Sequence, residues 1–159
     1  TGDPDLEYND INLIKKNLTI NFLNPTILIN EFSKKLIPHS NSFICVITSV
    51  AGLRGRKTQL FYSSAKAGLI TYLSGLRQKL SVKNIHVCTV IPGYINTKPF
   101  REGNWKSLGF LITSPKECAY SMKKAIYNKK EIIYINNIWR IVMFLISLIP
   151  EKIFKKFNF

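Results

Sequence analysis

A tyrosine, a lysine and a serine in one stretch of the chain have the side chains that acid–base chemistry requires. Tyr62 and Lys66 stand four residues apart at the start of a helical pattern, and Ser49 lies thirteen residues before the tyrosine. Residues four apart share one face of a helix, so we expect the Lys66 ammonium beside the Tyr62 ring. A free tyrosine, with a pKa of about 10, is a poor base at neutral pH, and a neighbouring ammonium favours the phenolate form. The pair is therefore a candidate for proton transfer.

A strand and a helix are predicted to position these residues. The run 43–48 is short, apolar and rich in β-branched residues, which predicts a buried parallel strand with Ser49 at its end. The leucines beyond Lys66 recur at spacings of three and four, which predicts an amphipathic helix: Leu69, Leu73, Leu76 and Leu80. Open α/β sheets bind ligands at the carboxyl ends of their strands, so Tyr62 and Lys66 are expected to face that end.

The spacing alone does not select this stretch. Two other places repeat it, each with a serine thirteen residues before the tyrosine: Ser81, Tyr94 and Lys98, and Ser107, Tyr120 and Lys124. Context separates them, because only Ser49 follows a buried-strand pattern and only Tyr62 opens a long helix. Tyr94 and Lys98 are accordingly interpreted as loop residues.

Two further segments complete a recognisable order of features. Asn21 lies in a helical pattern twenty-eight residues before Ser49, and a second buried-strand pattern, 85–91, runs into a Pro-Gly-Tyr-Ile-Asn-Thr segment at 92–97. This order resembles the short-chain dehydrogenase/reductase family, over nearly all of the chain. The resemblance implies an α/β fold: a Rossmann-like, doubly wound parallel sheet, here incomplete because only the C-terminal half of that fold is represented.

The resemblance also implies roles for the residues named above. Tyr62 would act as general acid or base on the substrate oxygen and would also belong, with Lys66, to the cofactor-binding residues. Lys66 would hold the nicotinamide ribose. Ser49 would hydrogen-bond the substrate oxygen, and Asn21 would hold a water connecting Lys66 to solvent. The cofactor is expected to be NAD or NADP, with NADP favoured only by family analogy. Four residues would line the nicotinamide side: Pro92, Gly93, Ile95 and Thr97.

The pyrophosphate-binding glycine loop of the family has no counterpart in the sequence. Thr1 and Gly2 match its beginning, but Leu6 stands where glycine must admit the pyrophosphate, and no Gly-x-x-x-Gly-x-Gly stretch occurs in the 159 residues. We expect the cofactor half to lie upstream in a longer polypeptide. The alternative is a truncated, catalytically inactive remnant that acts as an interaction or membrane-associated module. A native species heavier than 18.3 kDa would favour the first.

The segments are interpreted as one partial domain. Its predicted parts are a helix with Asn21 (1–38), a catalytic strand–helix–strand unit (39–97), a substrate loop (98–113), a helix and last strand (114–135) and an apolar, basic tail (136–159). Ser114, Pro115 and Glu117 form the signature of a helix start. Such a domain is expected to form homo-oligomers, with the Asn21 and Tyr62 helices at the subunit interface by family analogy.

Composition excludes several other classes of function. The net charge of +14 comes from scattered lysines, with no nucleic-acid-binding motif, so we expect no nucleic-acid partner. The three cysteines show no Cys-x-x-Cys spacing and the two histidines lie far apart, so no metal site is predicted: Cys45, Cys88, Cys118, His39 and His86. The acidic N-terminal stretch does not resemble a secretory signal, and the expected location is cytoplasmic.

The substrate is expected to be a small carbonyl or alcohol compound. A lipid-linked compound of this kind is one of the alternatives. Features of the Ser49 loop and of the tail resemble bacterial reductases of keto-sugars on polyprenyl phosphate. Arg54, Arg56 and Lys57 are interpreted as solvated, with a substrate phosphate as the alternative ligand. The apolar run 139–149 is too short to span a bilayer. It predicts a helix packed on the sheet or on a partner subunit; the alternative is an interfacial membrane anchor over residues 138–156.

Overall fold

The computed structural model describes residues 8–39, 41–97 and 106–157. The helices are α1 (Ile11–Leu18), α2 (Asn24–Lys35), α3 (Leu60–Ser81), α4 (Pro115–Tyr127), α5 (Ile138–Ser147) and α6 (Glu151–Phe154). The strands are β1 (Phe43–Ile47), β2 (His86–Pro92), β3 (Tyr94–Ile95), β4 (Ile112–Thr113) and β5 (Ile132–Ile135). Short 3₁₀ segments occupy Val50–Gly52, Lys57–Gln59 and Lys106–Leu111. None of the described helices is both long and apolar enough to cross a bilayer.

The N-terminal helix contains a π-helical segment between α1 and α2. Asp10 caps α1 by accepting a hydrogen bond from the Asn12 backbone N–H, as an N-cap aspartate does. Thr19–Leu23 then forms the π segment, closed by a hydrogen bond from the Asn24 N–H to the Thr19 carbonyl. Pro25 follows the segment and has no N–H to donate to the carbonyl four residues earlier. Helical structure thus continues past this proline, from Ile11 to Lys35.

The main sheet has three parallel strands in the order β1-β2-β5. In the register, Cys45 lies opposite Cys88 and Val90 opposite Ile133. On one face of the sheet, the buried leucines of α3 pack with Ile85 and Val87. Phe22 of the π segment and Ile29 of α2 pack against this cluster. The other face carries α4, whose Cys118 and Ala125 pack on Cys88 and Val90. Helices therefore lie on both faces of a parallel sheet, which confirms the predicted doubly wound α/β class.

The prediction that β1 is a fully buried strand is wrong. Phe43 and Ile47 are 49% and 50% exposed, whereas β2 is buried from Val87 to Pro92. The reason is position: β2 is the central strand, while β1 forms one edge of the described sheet. An apolar run shows that a strand prefers burial, but a strand is buried only where neighbours exist on both sides.

Part of the predicted substrate loop after β2 forms regular structure. Residues 98–105, which include Phe100 and Trp105, lie outside the described residues. Beyond them, the 3₁₀ segment leads into β4, which pairs in parallel with β3. The Asn96 N–H also donates to the Thr113 carbonyl, at 2.9 Å. The part of the predicted loop at 106–113 is therefore a helical turn and a strand.

The last third of the chain follows the sequence pattern closely. Ser114 caps α4 in a complete capping box with Glu117, as predicted from residue spacing. The capping hydrogen bonds hold the pKa of the Glu117 carboxyl below its ordinary value. Helix α5 follows β5 and packs inward through Trp139 and Met143, which lie in a core cluster with Val50 and Ile91. This agrees with the predicted packing of the tail helix on the sheet.

Candidate active site

Ser49 lies directly beyond the end of β1 and caps a short 3₁₀ helix. Its Oγ accepts a hydrogen bond from the Ala51 backbone N–H, at 3.1 Å. The preceding Thr48 fixes this position, because its N–H and its hydroxyl both donate to the Val90 carbonyl at 2.8 Å. The serine is thus held where β1 ends beside β2. Since its oxygen is the acceptor in the cap, the hydroxyl hydrogen remains able to donate to a ligand.

Gly52 lets the serine loop lie directly on the backbone of α3. A Cβ at this position would stand 2.7 Å from the Lys66 carbonyl carbon and 2.8 Å from the Ala67 nitrogen. No real side chain fits at that distance, so glycine is needed for this approach. The contact places the Ser49 loop next to the turn of α3 that carries Lys66. This role was not predicted from the sequence, where the only signal is a glycine three residues after the serine.

Tyr62 and Lys66 lie together in the first two turns of α3. The Lys66 ammonium lies 5.6 Å from the centre of the Tyr62 ring, within range of a cation–π contact. Lys66 is half-buried, and burial lowers the pKa of its ammonium. Among the described residues, none accepts a hydrogen bond from this ammonium in the structure. Its N–H groups are therefore available to a ligand.

Asn21 is placed on the helix that packs beside α3. Its amide nitrogen donates to the carbonyl and to the side-chain oxygen of Asn17, at 3.1 and 3.2 Å. The adjacent Phe22 lies 3.1 Å from the point where a Cβ of Gly68 would stand. Gly68 follows Lys66 by two residues, so the π segment contacts α3 close to the lysine. π segments of this kind frequently occur at functional sites.

The Pro92–Gly93 corner lies at the end of β2 under an indole ring. The Gly93 N–H donates to the Ile135 carbonyl at 3.1 Å, and a Cβ on Gly93 would overlap the Trp139 ring. Trp139 is fixed by a hydrogen bond from its Nε1 to the Leu111 carbonyl, at 3.0 Å. Glycine is required here because the tryptophan occupies the space of a side chain. Trp139 was not singled out from the sequence as part of this corner.

The remaining residues predicted beside the nicotinamide lie just beyond this corner. Ile95 is half-buried in β3 and packs on the α4 side of the sheet. Thr97 is exposed and donates through its N–H to the Ile95 carbonyl, at 2.7 Å. The structure therefore brings Ser49, the start of α3 and the Pro92–Gly93 corner to the carboxyl ends of β1 and β2.

Arg54 binds the C-terminal helices, and the interpretation of it as a solvated residue is wrong. Its Nη2 donates to the Ile149 carbonyl at 3.1 Å and to Glu151 at 2.8 Å, and its guanidinium lies 4.1 Å from the centre of the Phe154 ring. Arg56 instead donates to the Gln59 side chain, at 2.9 Å. The Ser49 loop is thus fastened to a segment about a hundred residues later in the chain.

An apolar groove of about 240 Å³ opens beside this contact. Val50 and Tyr94 form its inner wall, while Val142, Ile146 and Phe154 form the wall on the side of α5 and α6. Because Val50 follows Ser49 and Tyr94 follows Gly93, the groove lies next to the candidate site. Its lining suits an apolar group on a substrate.

Other features of the described residues do not compete with this site. A groove of about 790 Å³ lies against α4 and β5; the decoy residues Tyr120 and Lys124 contribute to its lining, and none of the predicted site residues does. The decoy Tyr120 stands on α4 with 67% of its surface exposed. The three cysteines are free thiols, and no group of metal-ligating side chains occurs among the residues described. Of the predicted tyrosine–lysine pairs, Tyr62 and Lys66 are the pair for which a contact is found among the described residues.

Comparison with known families and proteins is consistent with this geometry. A family model described as short chain dehydrogenase matches residues 2–106. Nodulation protein G of Rhizobium meliloti (strain 1021) is 35% identical over 96 residues, which are 60% of this chain and 36% of that protein. Ketoacyl reductase HetN of Nostoc sp. strain PCC 7120 is 32% identical over 114 residues, 67% of this chain and 39% of that protein. The chain therefore spans less than half the length of these relatives.

Solved structures show the same fold at low sequence identity. A short-chain dehydrogenase from Burkholderia cenocepacia J2315, in complex with NADP, aligns with a TM-score of 0.73 and 18% identity over 87% of this chain and 56% of that one. A short-chain dehydrogenase from Sphingobium yanoikuyae, in complex with NADPH, aligns with a TM-score of 0.67 and 18% identity over 89% of this chain and 59% of that one. At these identities the likeness concerns the fold.

Proposed function

The chain belongs to the short-chain dehydrogenase family, and on that premise we propose that its protein is an NAD(P)-dependent oxidoreductase. The reaction is hydride transfer between the nicotinamide and a small carbonyl or alcohol substrate. One observation carries the proposal: the Lys66 ammonium lies 5.6 Å from the Tyr62 ring centre, on a helix that contacts the Ser49 loop. In this proposal the acid, the cation and the hydrogen-bond donor act at the carboxyl ends of the parallel strands, where such sheets bind ligands.

In this function the side chains move a proton and orient the substrate. In the reduction direction Tyr62 donates its phenolic proton to the carbonyl oxygen as that oxygen receives charge, and in oxidation it takes the proton back. The Ser49 hydroxyl donates a hydrogen bond to the same oxygen. Its hydrogen is free to do so, because the serine oxygen is the acceptor in the capping hydrogen bond. A bound nicotinamide supplies or accepts the hydride.

The residues present fit the nicotinamide end of the cofactor. The half-buried Lys66 has donors that no described residue uses, which suits the ribose hydroxyls. The Pro92–Gly93 corner, with Ile95 and Thr97 beyond it, would line the nicotinamide. The pyrophosphate end requires a glycine loop that this sequence does not contain. Structures of the fold with NADP and NADPH support the cofactor class, with NADP favoured over NAD by analogy alone.

Asn21 is proposed to hold a water near Lys66. Pro25 has no N–H with which to occupy the Asn21 carbonyl, the acceptor four residues before it. That carbonyl therefore lacks its usual α-helical donor, and the adjacent Phe22 contacts α3 at Gly68. A proton leaving or reaching Tyr62 by way of Lys66 could pass to solvent along this route.

The substrate is proposed to carry an apolar group, which the groove beside Val50 and Tyr94 would accept. The finer expectation of a lipid-linked substrate is consistent with the apolar lining. Homo-oligomers are proposed to form through the outer side of the π segment and α2, where large apolar side chains are exposed: Ile20, Leu23, Ile27, Leu28 and Phe32. We favour catalysis over the inactive-remnant alternative because the close packing at Gly52 and Gly68 that unites the site is intact.

The test is the Tyr62→Phe variant, made in the protein as its source cell produces it. Removing the phenolic proton is expected to lower turnover of carbonyl substrates with NADPH by about 10²- to 10⁴-fold, the usual contribution of a positioned acid. Binding of NADPH, followed by its fluorescence, should be unchanged. The matched control is Tyr120→Phe, which alters the exposed tyrosine of the decoy and should leave turnover unchanged. Retained turnover in Tyr62→Phe would overturn the mechanism.

A further inference from the structure

Helix α5 presents a continuous apolar stripe on its outer side. The stripe consists of residues at spacings of three and four, each between 57% and 62% exposed: Ile141, Phe144, Leu145 and Leu148. Residues with this spacing lie on one side of a helix. Trp139 and Met143 pack into the core on the opposite side, so the stripe is directed away from the sheet. Helix α6 extends the apolar surface through Ile153 and Phe157, each about half exposed.

Cations surround this apolar surface. The exposed ones on and beside the two helices are Arg140, Lys152, Lys155 and Lys156. The acid nearest to them, Glu151, is already paired with Arg54 at 2.8 Å. Within the described part of the chain, no carboxylate lies within ion-pair distance of these four cations. The surface is therefore apolar at its centre and positively charged at its rim.

We propose that this surface, the outer side of α5 and α6, binds the surface of an anionic lipid bilayer. Apolar residues would enter the boundary between headgroups and acyl chains, while the lysines and arginine contact anionic headgroups. The ten residues of α5 reach only about 15 Å, half of the hydrocarbon thickness, so the helix lies in the membrane plane. None of the stripe residues belongs to the candidate active site, and the proposal does not depend on the reaction.

Charge favours a lipid surface over a second copy of the chain. A two-fold contact between copies places the same patch on both sides, so the cationic rims would face one another. An isologous interface on this surface would need acidic partners, and the patch offers only the already paired Glu151. An anionic bilayer supplies the missing negative charge throughout the rim. The net charge of +14 acts in the same direction.

The test is co-sedimentation of the 159-residue chain with vesicles. Binding is expected to vesicles of equal parts phosphatidylcholine and phosphatidylglycerol, and not to phosphatidylcholine alone. The Phe144→Ser/Leu148→Ser double variant should reduce the partition coefficient by at least about tenfold, because two inserted apolar side chains are removed. The matched control is Tyr120→Ser/Tyr127→Ser on α4. It removes two exposed aromatic side chains, 67% and 87% accessible, from a helix for which no partner is proposed, and it should bind as the unmodified chain does.

A second pair of variants tests the charge without touching the apolar residues. Lys152→Glu/Lys156→Glu reverses two rim cations and should abolish binding to the anionic vesicles. Lys15→Glu/Lys16→Glu, on the exposed side of α1, changes the net charge equally and should not. Circular dichroism establishes that each variant is folded. The proposal is overturned if the unmodified chain ignores anionic vesicles, if both members of either pair behave alike, or if the stripe variant only dissociates a dimer.

Discussion

The two ends of the chain carry similar apolar surfaces in different electrostatic surroundings. The N-terminal helical pair (residues 11–35) exposes Leu28 and Phe32, and the C-terminal helical pair (residues 138–154) exposes Phe144 and Leu148, all more than half accessible. Beside the first surface, Glu31 and Lys34 neutralise one another in an exposed ion pair. Beside the second, the lysines and arginine have no acidic partner among the described residues.

This difference indicates what each surface can bind. Exposed apolar side chains show only that a surface favours removal from water. Surfaces of this kind occur both at protein interfaces and at membranes. The charge at the rim separates the two outcomes. The N-terminal pair carries an exposed carboxylate, Glu31, beside its exposed lysines, so a second copy of the chain can meet it with both signs of charge, as we propose for that pair. A cationic rim disfavours self-association and favours anionic headgroups, as we propose for the C-terminal pair.

The two pairs also differ in how tightly they pack on the core, and two glycines provide the largest expected contrast. In Gly93→Ala the new Cβ would overlap the Trp139 ring. The ring cannot move away without straining the hydrogen bond from its Nε1 to the Leu111 carbonyl. We expect a loss of about 3 kcal/mol in the free energy of unfolding, from overpacking and the strained hydrogen bond. Urea denaturation of the chain measures it.

Gly68→Ala is the matched substitution on the N-terminal side. Its Cβ would lie 3.1 Å from the Phe22 ring edge, which can retreat by a few tenths of an ångström. Alanine in a helix interior gains about 1 kcal/mol over glycine, which offsets that contact. We therefore expect a net change within about 0.5 kcal/mol of zero. Equal losses in both variants would contradict the view that the C-terminal pair is the more tightly fitted of the two.

The Arg54 contact should produce a smaller effect confined to the C-terminal pair. Arg54→Ala removes the hydrogen bond to the Ile149 carbonyl, the ion pair with Glu151 and the contact with the Phe154 ring. Because Glu151 is largely exposed, the ion pair adds little, and we expect a loss of about 1 kcal/mol in unfolding free energy. Hydrogen exchange should show the loss in α5 and α6.

Arg56→Ala is the control for this prediction. Its guanidinium contacts only the nearby Gln59 side chain among the hydrogen bonds of the described residues. We expect a change of less than about 0.5 kcal/mol, typical of an exposed surface substitution, and no change in exchange at α5. Faster exchange of the N-terminal pair in Arg54→Ala would show that the two pairs are not attached independently.

Local sequence patterns predicted where helices and strands form. The burial of an element depends on which other elements lie beside it, and local patterns do not encode those neighbours. The Ser114 capping box and the helical leucines of α3 are encoded within a few residues, and both are as predicted. The half-exposure of Phe43 depends on whether a neighbour lies beyond β1, which the run 43–48 does not encode. The strands β3 and β4, two residues each, are too short to produce a periodic signal.

The candidate site divides in the same way. The helical spacing of Tyr62 and Lys66 is local, so their proximity could be predicted. Contacts between distant segments could not: Trp139 lies on Gly93 and Arg54 on Glu151, across 46 and 97 residues of sequence. The signals that were available are the glycines, since Gly52 and Gly93 each mark a close approach to another segment.

The smallest expected effect concerns the π segment of the N-terminal pair. Pro25→Ala supplies an N–H that could bond the Asn21 carbonyl and convert residues 19–23 to α-helix. Conversion would rotate α2 by about 100°, one residue of helix, and withdraw Ile29 from the core. One hydrogen bond contributes about 1 kcal/mol, less than the burial of a large aliphatic side chain. We therefore expect the π segment to persist and the unfolding free energy to change by less than about 1 kcal/mol. A crystal structure of the variant with an unbroken α-helix would show that Pro25, rather than packing on α3, determines how the pair is oriented.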